Sequence, residues 1–413
     1  LGLRILHIST RLILGGSQEN TILSCEGQAR LGHRVHLAYG PIYGPEGSLI
    51  ERVRKFQVDP NRGTGLGGGI RSHEIPGLVR EVNPAKDKKA LTLLEKLVRD
   101  LRPDVVHTHS SKAGILGRIA AWRVKTGSID RKPAVVHTIH GPPFMPETGG
   151  RLARAKTRAL NKAYTIAEQH AAKRCDRIIS VADAMTEQFL ARDIGVPEQY
   201  VTVRSGMETA PFLEPEPGQT RTDIRRSVGL GETDFVVGTV ARLAEHKGHD
   251  DVLDALADDL SANPHWKLLW VGDGWWKERL MKRVRELGLT RQVVCTGLVD
   301  PDRIPGLVRS MDVLCHPSHR EGLPRTVPQA MLCAVPVVAT DADGTREACL
   351  DGETGKLVPV GDAEAIRDAV RWMADHEEER TAMGVRGREL ARDEFSAERM
   401  VERLEEVYRD ALA

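Results

Sequence analysis

Two cations and one carboxylate carry the chemistry of the C-terminal half. Arg242 and Lys247 stand in ARLAEHKG, directly behind the apolar run FVVGTV, and a helical pattern begins near His249. Cations at a strand end beside a helix N-terminus suit a diphosphate, because fixed charge and free backbone N–H groups act on the same anion. A solvated charged loop is the competing reading. In VGDG, Gly272 and Gly274 flank Asp273 and would let backbone approach a ligand closely. Trp275 and Trp276 follow, where packing between helix and sheet is the expectation. In EGLPRTVPQA, Gly322 and Leu323 offer backbone N–H groups and Pro324 suits a first helical turn. The N–H groups of Arg325 and Thr326 would then hold an anion. Glu321 would repel phosphate, so it fits a neutral partner with hydroxyls, such as a sugar.

The N-terminal half offers glycines and histidines. Gly15 and Gly16 sit between a strand pattern and a helix pattern. No G-x-G-x-x-G is present, and the second strand ends in Tyr39-Gly40 rather than in an acid for a ribose, so a dinucleotide site is not expected. His109 and Lys112 follow DVVHTHS, and His140 and Gly141 follow AVVHTIH. His107 and His137 alternate with them and read as strand residues. Asp341 and Asp343 form a D-x-D in a segment whose phosphates would already have Arg242 and Lys247, so no metal site is expected. From Arg151 to Lys162, Arg151, Arg154, Lys156, Arg158 and Lys162 occur without an acid, interleaved with Leu152, Ala155, Ala159 and Leu160. Such a helix either touches an anionic membrane surface or presents a solvated face.

These residues need elements to hold them. The runs RILHIS, RVHLAYG, DVVHTHS, AVVHTIHG, DRIISVA and YVTVRSG read as strands in the first half, and FVVGTVAR, KLLWVGDG, VVCTGLV, VLCHPS, PVVATD and GKLVPV in the second. Helical segments such as ALTLLEKLVRDL and DDVLDALADDL separate them. Continuous apolar strands alternating with helices predict parallel sheets covered on both faces. The expected fold is therefore α/β, with two doubly wound Rossmann-like domains facing a cleft. The boundaries are placed at 1–208, 209–390 and a C-terminal helix, 391–413, crossing back to the first domain. TAPFLEPEPGQT (Thr209–Thr220) is the linker.

Bulk properties exclude other classes. The chain has 413 residues, 40% hydrophobic and 28% charged, with a formal net charge of +1, which gives no argument for nucleic acid. No apolar run approaches the ~18 residues of a spanning helix. LGLRILHIST has neither a long apolar core nor a small-residue cleavage site, so no signal peptide is expected. Six scattered cysteines without C-x-x-C suit buried thiols in the cytoplasm.

In EGLPRTVPQAMLCAVPVVAT the pattern becomes specific. It resembles the signature of retaining glycosyltransferase family 4, enzymes of the two-Rossmann GT-B type that use nucleotide-sugar donors. That signature runs E-G-x-x-x-x-x-x-E-A and on to P-V-V-A-T. ARLAEHKG, VGDG, GGSQENTILSCEGQARLGH, HTHSSKAGILGR and HTIHG are similar to the family's other motifs, in order, the last two to its polysaccharide-assembly branch. The resemblance implies that Arg242 and Lys247 hold the donor diphosphate and Glu321 the donor-sugar hydroxyls. It places Gly15, Gly16, Gly272, Asp273, Gly274, Leu298, Gly322, Leu323, Pro324, Arg325, Thr326 and Gln329 at the donor, and His109, Lys112 and Gly141 at the acceptor. It sets His140 beside the anomeric carbon. Two positions depart from the pattern. Gln329 stands where a second Glu usually binds ribose, and Asp343 where a Gly-Gly pair usually begins.

The implied activity is a retaining, metal-independent transfer of a hexosyl-type group from a nucleoside diphosphate sugar, UDP above others. The acceptor would be a cell-surface polysaccharide or a lipid-linked glycan, reached in the cytoplasm or peripherally at the inner face of the membrane. A nucleotide-sugar epimerase, a soluble-acceptor synthase and a sugar-nucleotide-binding protein without turnover are the rival readings.

Overall fold

The computed structural model describes residues 2–42, 47–56, 69–126, 132–147 and 149–413. By their contacts they form two compact units: residues 1–207 with 397–413, and residues 208–396.

In the first unit the apolar runs become parallel strands β1 (Arg4–Ser9), β2 (Arg34–Tyr39), β3 (Ile70–Glu74), β4 (Val105–His109), β5 (Ala134–Ile139), β6 (Arg177–Ser180) and β7 (Tyr200–Thr202). Among the described residues they make a seven-stranded sheet in the order β3-β2-β1-β4-β5-β6-β7. Strand β3 has no counterpart in the sequence reading. It is an edge strand of sequence IRSHE in which only Ile70 is buried, so it lacks the apolar run that marks the others. The strand order reverses between β1 and β4, and in such sheets the crevice for ligands lies beyond the carboxyl ends of the strands at this reversal. Pairing places His7 opposite His107 and His109 opposite Thr138. Side chains alternate across a strand, so His107 and His109 share one face while Thr108 takes the other.

The C-terminal helix Ala397–Leu412 belongs to this unit. It buries Ala397, Met400, Val401, Leu404, Val407 and Tyr408, the spacing of one helical face, against Ile5, Val105 and Val136 of the sheet. The crossing falls later than position 391, because the helix Glu377–Glu394 still packs on the second unit.

The second unit repeats the plan. Strands β8 (Phe235–Val240), β9 (Trp266–Val271), β10 (Val293–Cys295), β11 (Val313–His316), β12 (Val337–Thr340) and β13 (Gly355–Val358) form a parallel sheet ordered β10-β9-β8-β11-β12-β13. Its reversal lies between β8 and β11. The helix His249–Ala262 buries Val252, Leu253, Leu256 and Leu260 beside the sheet residues Leu268, Trp270 and Val313. The Pro-rich segment at the unit boundary is not a loose linker. It forms the short helix Ala210–Leu213, whose carbonyls accept from Arg309 and Arg388, and Thr220 caps the helix Arg221–Ser227.

Candidate active site

The richest chemistry of the second unit lies where β8 and β11 diverge. After β8 the chain makes a single 3-10 turn, Glu245–Lys247, before the helix His249–Ala262. The carbonyl of His246 accepts from His319 N at 2.8 Å and from Ser318 Oγ at 3.2 Å, which ties this loop to the one behind β11. The tie brings Lys247 Nζ to 2.5 Å from Glu321 Oε1. His316 Nε2 lies 3.1 Å from the same oxygen without the alignment of a hydrogen bond, and its Nδ1 is 3.2 Å from Thr326 Oγ1. Burial alone would push the Glu321 carboxyl up. Lys247 and His316 outweigh it and hold the group well below the usual carboxylate range. Glu321 is therefore a carboxylate throughout the neutral range, with the Lys247 ammonium on one side and its remaining lone pairs for hydroxyl donors.

Arg242 is exposed, with its guanidinium 5.8 Å from the centre of the Trp275 ring. Arg242, Lys247 and Glu321 all act on His246, whose imidazole is lowered first by burial and then by the Lys247 cation, with Arg320 and Arg242 adding to this and the Glu321 carboxylate opposing it. His246 was not singled out from the sequence. Its only signal there is its place beside Lys247.

The glycines of VGDG have a different explanation from the one expected. A Cβ on Gly272 would meet the carbonyl oxygen of Ala241 at 2.1 Å, and one on Gly274 that of Leu243 at 2.2 Å. Their small size lets the loop behind β9 pack on the loop behind β8, where Leu243 N donates to Asp273 O at 3.0 Å. The close approach is thus to the chain itself, and it positions Arg242. Asp273 is held by Lys277 at 2.7 Å, which lowers its carboxyl. Trp276 packs on the core, as expected, but Trp275 is 67% exposed and Leu298 72% exposed, so two apolar surfaces stand free at the carboxyl ends of β9 and β10.

In the stretch behind β11, Pro324 does not enter the helix. The helix runs Thr326–Leu332 with Arg325 as its cap, because the Arg325 carbonyl is the first to accept, from Gln329 N at 3.1 Å. The first-turn N–H groups are those of Thr326 and Val327, since Pro328 has none. Leu323 is buried, and Gly322 O accepts from Gly344 N at 3.2 Å. Among the described residues the half-buried Gln329 amide has no partner. Asp343 adopts φ +48° and accepts from Glu321 N at 2.8 Å, whereas Asp341 is engaged by Arg346 through both oxygens. The two acids of the D-x-D thus serve separate partners.

In the first unit, Gly15 precedes the helix Gly16–Arg30 behind β1, and its carbonyl accepts from Glu19 N at 3.0 Å. Ser110, directly after β4, is held at φ 63° and ψ 160°, a region that almost only glycine visits, and its hydroxyl meets Thr10 Oγ1 at 2.8 Å. Strain of about 1–3 kcal/mol is typical of such a position. His109 is not a surface residue. It is 1% exposed, 2.9 Å from His7 Nδ1 through Nε2 and 3.1 Å from His140 Nε2 through Nδ1. It cannot touch an acceptor directly and stands behind the half-buried His140, which Gly141 follows. Lys112 is likewise engaged within the fold, by Asp87 at 2.7 Å and by the carbonyl of Glu81. His107 bonds Tyr408 and Thr138, and His137 bonds Thr108. Three of these imidazoles, on His7, His107 and His109, lie close enough to share a metal ion, but each of their ring nitrogens already has a hydrogen-bond partner.

The basic run lies in the helix Arg151–Ala172. Arg151, Arg154, Lys156, Arg158 and Lys162 are exposed, and so are Leu152 at 86% and Leu160 at 45%. Arg158 pairs with Glu147.

Residues 220–390 match the model of glycosyl transferases group 1, and residues 14–210 that of glycosyltransferase family 4. The chain is 30% identical over 306 residues to the 2-deoxystreptamine N-acetyl-D-glucosaminyltransferase of Streptomyces fradiae, covering 72% of this chain and 68% of that one. It is 27% identical over 314 residues to the UDP-Gal:alpha-D-GlcNAc-diphosphoundecaprenol alpha-1,3-galactosyltransferase of Escherichia coli, covering 75% and 76%. Its fold is similar to that of Anabaena Alr3699/HepE, solved with UDP-glucose, with a TM-score of 0.78, 18% identity and coverage of 99% and 100%.

Proposed function

Because the chain belongs to the glycosyltransferases of group 1 and family 4, and is thus a sugar-transferring enzyme, we propose that it moves a hexosyl-type group from a nucleoside diphosphate sugar, with UDP as carrier, to a glycan or lipid-linked acceptor. The observation that carries this reading is the Lys247–Glu321 pair at the β8/β11 reversal. A diphosphate needs cations and a sugar needs a hydroxyl acceptor. This pair supplies one of each, side by side, with Arg242 on the same loop. The E. coli relative's name, with its UDP-Gal donor and diphosphoundecaprenol acceptor, supports the choice of UDP and of a lipid-linked glycan.

In this reading Arg242 and Lys247 stabilise the charge that develops on the leaving diphosphate, and the N–H groups of Thr326 and Val327 add to it. Glu321 orients the sugar through its hydroxyls. His140, at the carboxyl edge of the first sheet, serves the reacting sugar. Configuration is retained by front-face attack, in which the leaving phosphate oxygen takes the acceptor's proton. No metal is required, since protein cations supply the charge. Gln329 binds ribose through its amide oxygen, and Trp275 and Leu298 offer apolar surface to the donor. We place the enzyme in the cytoplasm, with the basic and apolar side chains of the helix Arg151–Ala172 resting on the anionic inner face of a membrane.

A thermal-shift screen of UDP, GDP and ADP and of their sugars tests the donor. A ligand at ~100-fold its dissociation constant stabilises by about 2.7 kcal/mol. The expected outcome is a shift with UDP and UDP-sugars and sugar transfer to a lipid-linked acceptor. No shift with any nucleoside diphosphate would refute the donor site. Binding without transfer or hydrolysis would favour the binder, and UDP-sugar interconversion without acceptor the epimerase.

A further inference from the structure

The second unit has a cavity at the amino ends of its strands, the end opposite to the donor site. Its volume is about 410 Å³, within the range of small-molecule pockets, about 300–1,000 Å³. Phe235 and Trp266, the first residues of β8 and β9, line it. Strand β8 runs from Phe235 to Val240, so about 17 Å of extended chain separates this cavity from the loop that carries Arg242 and Lys247. A molecule bound here would not share the donor's place.

The lining joins an aromatic wall to hydrogen-bond donors and acceptors. The Phe235 and Trp266 ring centres are 5.0 Å apart with planes at 49°, so the wall is angled. Both side chains also pack on the core, which fixes them before a ligand arrives. The polar groups come from two helix ends. Asn263 caps the carboxyl end of the helix His249–Ala262, and Asp375 closes the helix Ala363–Asp375. Asp259 accepts from Arg371 Nε through both oxygens, at 3.0 and 3.1 Å, which leaves the terminal amino groups of that guanidinium as donors. Asn263 Nδ2 donates to the Asp259 carbonyl at 2.9 Å and keeps a second hydrogen and the amide oxygen. Among the described residues the exposed Asp375 carboxylate has no partner.

This set discriminates between classes of ligand. Two helix carboxyl ends and two carboxylates repel phosphate. The positive charge they attract is already supplied, by Arg371 on Asp259 and by Arg380, whose guanidinium lies 5.4 Å from the centre of the Phe235 ring. A wholly apolar ligand would leave Asp375, Arg371 and Asn263 without partners. The molecule that fits is uncharged, with C–H faces and a rim of hydroxyls that both give and accept hydrogen bonds. A pyranose has this form. Its C–H face rests on an aromatic ring, and adjacent hydroxyls reach a carboxylate and a guanidinium together. We propose that the cavity is a second saccharide site, which holds one uncharged pyranose at the end of the sheet remote from the donor. A free sugar and a unit of a longer glycan would make the same contacts.

Binding is read at Trp266 itself, from fluorine NMR spectra of the full chain labelled with fluorotryptophan, in which Trp266→Phe assigns the signal among the six tryptophans. Glucose, galactose, N-acetylglucosamine, maltotetraose and chitotetraose are titrated to millimolar concentration without nucleotide. At least one of them should move the Trp266 signal saturably. Asp375→Ala and Arg371→Gln, both at exposed positions, should each weaken that binding by about two- to tenfold, the worth of one hydrogen bond. A tetrasaccharide that binds better than its monomer identifies a glycan unit, and equal binding a free sugar. No movement with any of the saccharides, or a titration unchanged in both variants, would overturn the proposal. A response to inorganic phosphate or methylammonium but to no sugar would overturn it as well. The titration uses neither donor nor turnover, so its failure and the failure of the donor assignment are separate results.

Discussion

Breaking the Lys247–Glu321 pair tests the site most directly. The charged atoms are 2.5 Å apart and the side chains 20% and 12% exposed. At an effective dielectric constant of about 20 the gross attraction is about 6–7 kcal/mol. Desolvating each ion costs several kcal/mol, so the intact pair contributes little net stability. Removing one partner is different, because the other charge stays half-buried and alone. That costs about 3–5 kcal/mol for a fully buried pair, and about 2–3 is expected here given the residual exposure. Lys247→Ala and Glu321→Gln should each destabilise by that amount. The double variant should fall well short of the sum, with a coupling of about 1–3 kcal/mol. Four proteins in urea unfolding complete the cycle. In transfer assays each single variant should lose at least about tenfold in kcat/KM, equivalent to about 1.4 kcal/mol of transition-state stabilisation. Glu321→Gln should act chiefly on kcat if Glu321 holds the transferred sugar as proposed. Effects additive within about 0.5 kcal/mol in both assays would refute the coupling and with it the shared site.

Gln329→Ala should mainly raise the donor KM, by about 0.5–1.5 kcal/mol for one neutral hydrogen bond, and Gln329→Glu should lower it modestly; loss of activity in Gln329→Glu would show that the amide serves something other than ribose. EDTA should leave transfer largely intact, and activity lost to EDTA and restored by Mn²⁺ would make Asp341 and Asp343 ligands. Binding to anionic vesicles should exceed binding to neutral ones and fade with salt, and replacing Arg151, Arg154, Lys156 and Lys162 by Gln should abolish the difference; equal binding to both vesicle types would leave the helix a solvated face. The His7 pKa is depressed from 6.5 to about 4, so the unfolded chain binds the extra proton between these values; stability is full above pH 6.5 and lost as pH falls toward 4, by about 3 kcal/mol from this residue, and flat urea-unfolding stability over that window would refute the buried neutral ring.

Strand positions were legible because doubly covered parallel strands leave uninterrupted β-branched runs. Five of the six strands of the second sheet fall within runs read from the sequence, and the sixth, β9, begins one residue before its run, at Trp266. Strand β3 was not legible, because an edge strand has one neighbour and little apolar surface to bury. The cations and Glu321 were legible from their place at strand ends, where a charged residue rarely serves packing. Their mutual pairing was not, because Lys247 and Glu321 meet only through the tie between two loops separated by three strands in sequence. The packing role of the VGDG glycines was hidden for a related reason. Glycine marks a close approach but does not say to what, and here the neighbour is the chain itself. Histidines hide their roles in the same way. His109 and His140 occupy similar strand ends, and only the alternation of faces and the depth of burial separate an inner ring from an outer one.

The two departures from the family pattern also part company in three dimensions. Gln329 is a simple loss of charge on a helix, with an amide that has no partner among the described residues. Asp343 is a gain of charge, but its carboxylate does not replace the one missing at 329, since it accepts the backbone N–H of Glu321. A glycine at 343 would meet φ +48° without strain but could offer no acceptor there. Asp tolerates that region better than most residues, because its short side chain bonds nearby backbone. The exchange therefore trades backbone freedom for a hydrogen bond that fixes the start of EGLPRTVPQA. A second carboxylate beside Glu321 would ordinarily raise its pKa, yet Lys247 and His316 keep it charged. The cation proposed for the diphosphate thus also keeps ionised the carboxylate proposed for the sugar. Under that proposal, recognition of phosphate and of sugar would be parts of one electrostatic arrangement.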